Sequence, residues 1–271
     1  MLRLAFSSRL VGIALIATAS FLSACSDKKA EYVDRPVEEL YNEAMDLIDG
    51  GEYYKAAQAF DEVERQHPYS VWATKAQLMS GYVLYERNKY ADSLIALDRF
   101  IQLHPGNKDA PYAYYLKGLC YYEQITDVAR DQKMTEMALK SLQEVVDRYP
   151  ASSYARDAKL KVDLTRDHLA GKEMNIARYY QRHDQWLAAL NRYKVVVEQY
   201  QTTSHVPEAL HRMVEIYLTL GLTDEAKKTA SVLGHNFPGS DWYEDTFSMV
   251  GSGKAASAPQ KKDSGWLGWI W

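Results

Sequence analysis

Small and apolar residues recur at fixed positions in five segments of 18 residues, which align without gaps. The segments begin at Gly51, Asn88, Lys133, Asp184 and Gly221. The sixth residue of each segment is small, the tenth is apolar or aromatic, and the thirteenth is a large apolar residue. Spacings of three and four residues place these positions on one face of a helix. The pattern therefore predicts five amphipathic helices, each with a small residue where a second helix approaches closely.

Each segment ends where a helix is expected to stop. Proline cannot continue the helical hydrogen-bond ladder, and it is the last residue of four of the segments, at Pro68, Pro105, Pro150 and Pro238. A small or short side chain lies 24 residues before the end of each segment, except in the third repeat, where an eight-residue insertion before the segment increases this distance. These residues are Ala44, Gly81, Gly118, Ala177 and Val214. They predict a partner helix before each segment.

A helix–turn–helix unit with these columns resembles the tetratricopeptide repeat, whose usual period is about 34 residues. The fold class predicted here is all-α: an α-solenoid of five repeats. Two departures from the period are informative. The insertion near "ITDVARDQ" predicts a loop inside the third repeat, and the proline-free stretch 154–183 predicts one long helix, or two joined near Gly171, between repeats three and four. This helix would couple an N-terminal block (37–152) to a C-terminal block (153–250).

The N-terminus has the pattern of a secretory signal. Residues 1–24 hold Arg3 and Arg9, then an apolar run that is too short to span a membrane. Residues 22–25, Leu-Ser-Ala-Cys, resemble the bacterial lipobox, which implies cleavage before Cys25 and covalent lipid on that cysteine. Residues 25–36 would form a lipidated tether, and Ser26 in place of aspartate implies sorting to the outer membrane. The alternative is a plain secretory signal that contains a cysteine.

Charge and motif content narrow the function. Removal of Arg3 and Arg9 from the 32 basic residues leaves 30 against 36 acidic residues, which argues against a nucleic-acid binder. No metal-binding, phosphate-binding or nucleophile motif is present, so we expect neither an enzyme nor a cofactor other than the lipid. Cys120 lies in an apolar helical stretch and is expected to be buried.

The 21 tyrosines favour a binding function. One predicted helix carries five of them: Tyr112, Tyr114, Tyr115, Tyr121 and Tyr122. A helix with tyrosine all round serves more than one surface, and stacked helix pairs form a concave groove. Some of these tyrosines are therefore expected to line a groove for extended peptides, while the others pack in the core.

Residues 126–193 resemble the central region of the outer-membrane assembly lipoprotein family BamD, also called ComL. The matching positions are Leu169-Ala170, Glu173, Ala177, Tyr179-Tyr180 and Arg182. The resemblance extends over the lipobox, the five repeats, the insertion and the long helix. It implies a scaffold on the periplasmic face of the outer membrane, which works with other lipoproteins and helps to receive unfolded outer-membrane proteins.

The same resemblance implies particular contacts. In the family, the C-terminal repeats dock on the last POTRA domain of the barrel assembly protein BamA through an asparagine–arginine pair, which is Asn191-Arg192 here. The N-terminal repeats would offer the precursor groove, with Tyr82, Tyr85 and Tyr114 as candidate lining residues. A different periplasmic repeat lipoprotein, such as a pilus-secretin pilotin or a coordinator of cell-wall synthesis, is the alternative.

Residues 251–271 have the composition of a flexible linker followed by "WLGWIW". Three tryptophans in six residues suit a membrane interface or a groove. Disorder is an equal alternative for this tail.

Overall fold

The fold is described for residues 34–252 of a computed structural model. The predicted signal peptide, Cys25, most of the tether and the tryptophan-containing tail lie outside the described residues. Eleven α-helices, and no strand, occur in the described range. In chain order they are α1 (Val37–Asp49), α2 (Tyr53–Gln66), α3 (Val71–Glu86), α4 (Tyr90–Leu103), α5 (Ala110–Tyr122), α6 (Lys133–Arg148), α7 (Ser153–Arg182), α8 (Trp186–Gln199), α9 (Val206–Thr219), α10 (Thr223–Asn236) and α11 (Asp241–Ser252).

The first ten helices form the five predicted pairs, and each pair is an antiparallel helix–turn–helix unit. The first helices of neighbouring repeats also touch one another, since α1 contacts α3, α3 contacts α5, and α5 contacts α7. Helix α11 packs on α9 and α10, in the place that the first helix of a sixth repeat would take. The protein is thus an all-helical solenoid of the tetratricopeptide type, and α11 covers its last repeat.

Four of the turns inside the helix pairs share one backbone geometry. The angle φ is positive, between 57° and 74°, at Gly51, Asn88, Asp184 and Gly221. The residue after each of them donates its N–H to a carbonyl five residues earlier, which is the Schellman helix ending. Glycine, asparagine and aspartate tolerate this left-handed conformation best. The first position of these segments is therefore set by the turn and not by packing.

The repeat columns correspond to fixed places in the packing. The sixth residue of every segment is fully buried, and so is the thirteenth. The seventeenth residue is the C-cap of its helix, and its N–H bonds to the carbonyl of the thirteenth. This column comprises His67, His104, Tyr149, Tyr200 and Phe237. Its two histidines thus have a structural position that the other repeats fill with aromatic residues.

Two glycines of the first helices permit close helix contact. A Cβ atom at Gly118 would lie 2.7 Å from Leu142 Cδ2, and one at Gly81 would lie 2.8 Å from Leu97 Cδ2. Both leucines are the tenth residue of their segment and are fully buried. A repeat with leucine at the tenth position of its segment therefore needs glycine at the facing position of its first helix.

The long helix α7 is uninterrupted, so the alternative of two helices joined near Gly171 is wrong. Ser152 caps its N-terminus by accepting a hydrogen bond from the Ala155 N–H at 3.1 Å. Gly171 serves close approach instead of a bend, because a Cβ there would lie 3.3 Å from His205 and 3.6 Å from Val128.

The predicted insertion loop, residues 123–132, connects α5 to α6 and lies against α7. Lys172 Nζ donates to the carbonyls of Ala129 and Arg130, at 3.2 Å each. The N-terminal half of α7 packs into one core cluster with α5 and α6 through Ala158 and Val162, and the C-terminal half packs into another with α8, α9 and α10. One helix thereby joins the first three repeats to the last two.

Candidate functional site

A cavity of about 290 Å³ lies along the row of first helices, from α1 to α7. Aromatic and aliphatic side chains form most of its wall, and polar groups from the α4–α5 turn complete it. The lining residues are Tyr41, Thr74, Lys75, Leu78, Met79, Phe100, Asn107, Asp109, Tyr112 and Tyr154. Residues of all three N-terminal repeats and of α7 thus meet at one concave surface, which we call the aromatic groove.

Ring contacts hold the aromatic groove together. The rings of Tyr41 and Trp72 lie 4.8 Å apart, and Tyr154 lies 5.2 Å from Tyr112 and 5.5 Å from Tyr115. Such distances are typical of favourable aromatic pairs. The rings are therefore packed against one another, and side chains restricted in this way lose less rotamer freedom in any binding event.

The tyrosine hydroxyls of the groove remain donors at neutral and moderately alkaline pH. Burial, followed by the nearby tyrosines and Glu86, raises the pKa of Tyr112. Burial raises the pKa of Tyr115 as well, and its hydrogen bond to the Asp157 carboxylate acts in the same direction. Burial and then the Asp109 carboxylate raise the pKa of Tyr41. The groove thus combines apolar ring faces with protonated hydroxyls, and Lys75 is the one cation among its lining residues.

The three tyrosines chosen from the sequence occupy different places. Tyr82 and Tyr85 are half-buried on α3, close enough to Tyr112 to affect its pKa. Burial and then Glu123 raise the pKa of Tyr85 to about 12. Tyr114 is only 9% exposed and packs against Leu142 in the α5–α7 core, so the structure assigns it to the core and not to a ligand-facing surface. That Tyr82 and Tyr85 contribute to a precursor groove stays a prediction.

Lys75 and Tyr112 were not singled out as groove residues from the sequence. Each stands six residues before the small residue of its helix, Gly81 or Gly118, so the two occupy the same repeat position. That shared register is the signal that would have found them. Tyr154 could not be found from the repeat register, because α7 is longer than the first helices of the other repeats.

The predicted docking pair lies on α8. Asn191 is exposed, and Arg192 is 43% exposed at its side chain. Arg192 NH1 donates to Glu173 Oε2 of α7 at 3.1 Å, and the Glu173 side chain is 19% exposed. The arginine is therefore tied to the long helix while much of its guanidinium still faces solvent.

A more buried ionic cluster lies between α7, α9 and α11. Arg178 donates to both carboxylate oxygens of Glu208, at 2.9 and 2.5 Å. Glu215 accepts from Arg212 at 2.8 Å and from Gln181 at 3.0 Å, and His211 Nε2 lies 3.5 Å away. Burial alone would raise the pKa of Glu215, but hydrogen bonds and positive charge from His211 and Arg212 lower it to about 2.

The same cluster fixes the last helix. Thr246 of α11 is fully buried, and it donates its one hydroxyl hydrogen to the Trp242 carbonyl at 2.7 Å. His211 Nδ1, 2.7 Å from the same hydroxyl, must therefore be the donor in their contact. The Arg212 guanidinium lies 5.3 Å from the centre of the Trp242 ring. Helix α11 is thus attached to α9 by polar contacts as well as by packing.

Cys120 is fully buried, as predicted from its apolar surroundings. Its Sγ lies 3.3 Å from Ser93 Oγ, and burial raises the pKa of the thiol to about 11. A thiol with these properties is a packing group, since the reactive species is the thiolate.

Helix pairs and shared turns define the class: a helical repeat protein of the tetratricopeptide type, with the aromatic groove on its N-terminal repeats. None of the helices in the described range is long and apolar enough to cross a membrane. The chain belongs to the family described as "YfiO: Outer membrane lipoprotein", whose model matches residues 33–233.

Relatives support the same assignment. The outer membrane protein assembly factor BamD of Caulobacter vibrioides is 50% identical, over 92% of this chain and 83% of its own length. The protein of the same name from Rickettsia prowazekii is 44% identical, over 88% of this chain and 95% of its own. A tetratricopeptide repeat protein from Parabacteroides merdae is a structural neighbour with 16% identity, a TM-score of 0.39, and coverage of 79% of this chain and 73% of that one. The family predicted from residues 126–193 is confirmed.

Proposed function

We propose that this chain is a lipid-anchored component of the machinery that assembles β-barrel proteins in the outer membrane. In this proposal lipid on Cys25 holds it at the periplasmic face, the surface around Asn191 and Arg192 docks on a POTRA domain of BamA, and the aromatic groove receives unfolded outer-membrane proteins. Its action is positional, because it brings a precursor close to the protein that forms the barrel.

The observation that carries this proposal is the match to relatives named outer membrane protein assembly factor BamD, over most of both chains. The aromatic groove supports the precursor-binding part, because ring faces and hydroxyl donors suit peptides of variable sequence. The exposed part of Arg192 supports the docking part, because a guanidinium binds a carboxylate through two hydrogen bonds. No relative found favours the pilotin or cell-wall alternative.

Affinity purification from detergent-solubilised membranes tests the docking. The tagged chain should recover BamA, and Arg192→Glu should abolish the recovery by charge reversal. Arg99→Glu is the matched control, since Arg99 also pairs across helices with a glutamate, Glu64, but lies on α4. Recovery of a secretin or a wall synthase in place of BamA would refute the proposed function.

Site-specific crosslinking tests the groove. A photoreactive residue at Thr74, which lines the aromatic groove, should crosslink to an unfolded barrel precursor. The same residue at Lys140, exposed on the second helix of repeat three, is the control and should not. Equal crosslinking at both positions would show that the groove does not select the precursor.

A further inference from the structure

Arg192 uses only a small part of its hydrogen-bonding capacity. A guanidinium has five N–H donors, and among the described residues the structure gives Arg192 one bond, from NH1 to Glu173. Arg178, on α7, is different, because its Nε and NH2 both bind Glu208. The Nε–NH2 edge is therefore filled within the chain at Arg178 and open at Arg192.

The open edge has the geometry that carboxylates prefer. Nε–H and one N–H of NH2 point the same way and bind both oxygens of a carboxylate at once. Glu173 engages the guanidinium at NH1, so a second carboxylate at the Nε–NH2 edge would not compete with it for the same hydrogens. The positive charge between them offsets the repulsion of the two carboxylates.

We propose that Glu173 is a positioning residue for docking: it holds Arg192 through NH1 so that the Nε–NH2 edge faces a carboxylate of the partner. This inference rests on the proposed docking role of Arg192. Glu173 lies on α7 and Arg192 on α8, so the contact also fixes the arginine relative to the long helix. A long side chain that is already oriented loses less rotamer freedom when it binds.

The test is the affinity of the full-length lipidated chain in detergent for purified BamA, measured by a surface-binding assay that gives both rate constants. Loss of the ordering contact in Glu173→Ala should weaken binding about 2- to 10-fold. The change should lie mainly in the dissociation rate, as is usual for interface substitutions. Glu173→Gln should bind nearly as well as the parent, because its side-chain oxygen still accepts from NH1.

A double-mutant cycle separates positioning from a structural effect. Glu173→Ala should add nothing to Arg192→Ala if it acts through the arginine, and thermal unfolding midpoints of the single variants should match that of the parent. Glu64→Ala, which removes the glutamate that pairs with Arg99 across helices of the N-terminal repeats, is the control and should leave the affinity unchanged.

The outcomes distinguish the two levels of the proposal. Tighter or unchanged binding by Glu173→Ala would overturn the positioning role, and tighter binding would identify Glu173 as a competitor of the partner. If Arg192→Ala itself leaves the affinity unchanged, both the docking role of Arg192 and the positioning role of Glu173 are refuted.

Discussion

The ionised state of Glu215 is predicted to contribute strongly to the stability of the C-terminal repeats. Its pKa is about 2 in the folded chain, against an ordinary value of 4.5, and its side chain is only 12% exposed. At about 1.4 kcal/mol per pKa unit, the difference corresponds to about 3 kcal/mol of unfolding free energy. Because the pKa is lowered by folding, this contribution is complete above pH 4.5 and is lost as the pH falls towards 2.

Glu215→Gln isolates this effect. The variant lacks the charge at every pH, so it should be about 3 kcal/mol less stable than the parent at pH 7, and the difference should shrink towards zero near pH 2. Urea unfolding followed by circular dichroism at 222 nm, repeated across this pH range, measures the difference. Comparison with the parent cancels the titration of the other carboxylates.

Glu198→Gln, on the exposed side of α8, controls for removal of one glutamate from a helix. A difference between Glu215→Gln and the parent that stays constant from pH 7 to pH 2 would refute the reasoning. It would mean that the contacts of Glu215 with His211 and Arg212 do not favour its ionised form.

Three further outcomes follow from the packing. Gly118→Val should lower the unfolding free energy by about 1–3 kcal/mol, because its side chain would overlap Leu142; an unchanged urea midpoint would contradict the close contact. Ser152→Ala should cost about 1 kcal/mol by loss of the α7 cap, while Ser153→Ala, next to it and exposed, should not. Because the pKa of Tyr85 is about 12, its hydroxyl should stay protonated between pH 9.5 and 11. Tyr85→Phe should therefore leave the rise of absorbance at 295 nm over this range unchanged. A rise that is smaller by one tyrosine would show that the pKa of Tyr85 is not raised.

The repeat pattern predicted the helices well because burial acts on the same columns in all five repeats, and turn geometry on the same position in four of them. The sixth and thirteenth positions of the segments had to be apolar or small, and the turn positions had to accept positive φ. The groove was harder to predict, since most of its lining residues, unlike Phe100, lie outside the columns. Tyr112 and Tyr114 are two positions apart on α5, about 200° around the helix, so one lines the cavity while the other enters the core.

The repeat pattern could not predict contacts between residues that are distant in sequence, for a different reason. Glu173 and Arg192 meet only because α7 continues unbroken and α8 folds back along it. The sequence left open whether Gly171 interrupts that helix, and in the structure Val128 of the insertion loop and His205, both distant along the chain, lie close to this glycine. No local preference of residues 169–173 contains this information.

The unbroken α7 also fixes a spacing and an angular phase. Tyr154 lines the aromatic groove and Glu173 contacts Arg192, and their separation of 19 positions corresponds to about 28 Å along the helix axis. One residue inserted between them would rotate Glu173 by about 100° and turn it away from α8, whereas seven inserted residues would nearly restore its direction but add about 10 Å. Changes of length within this helix are therefore expected to be tolerated only near multiples of two turns, and even then they would move the aromatic groove relative to Arg192.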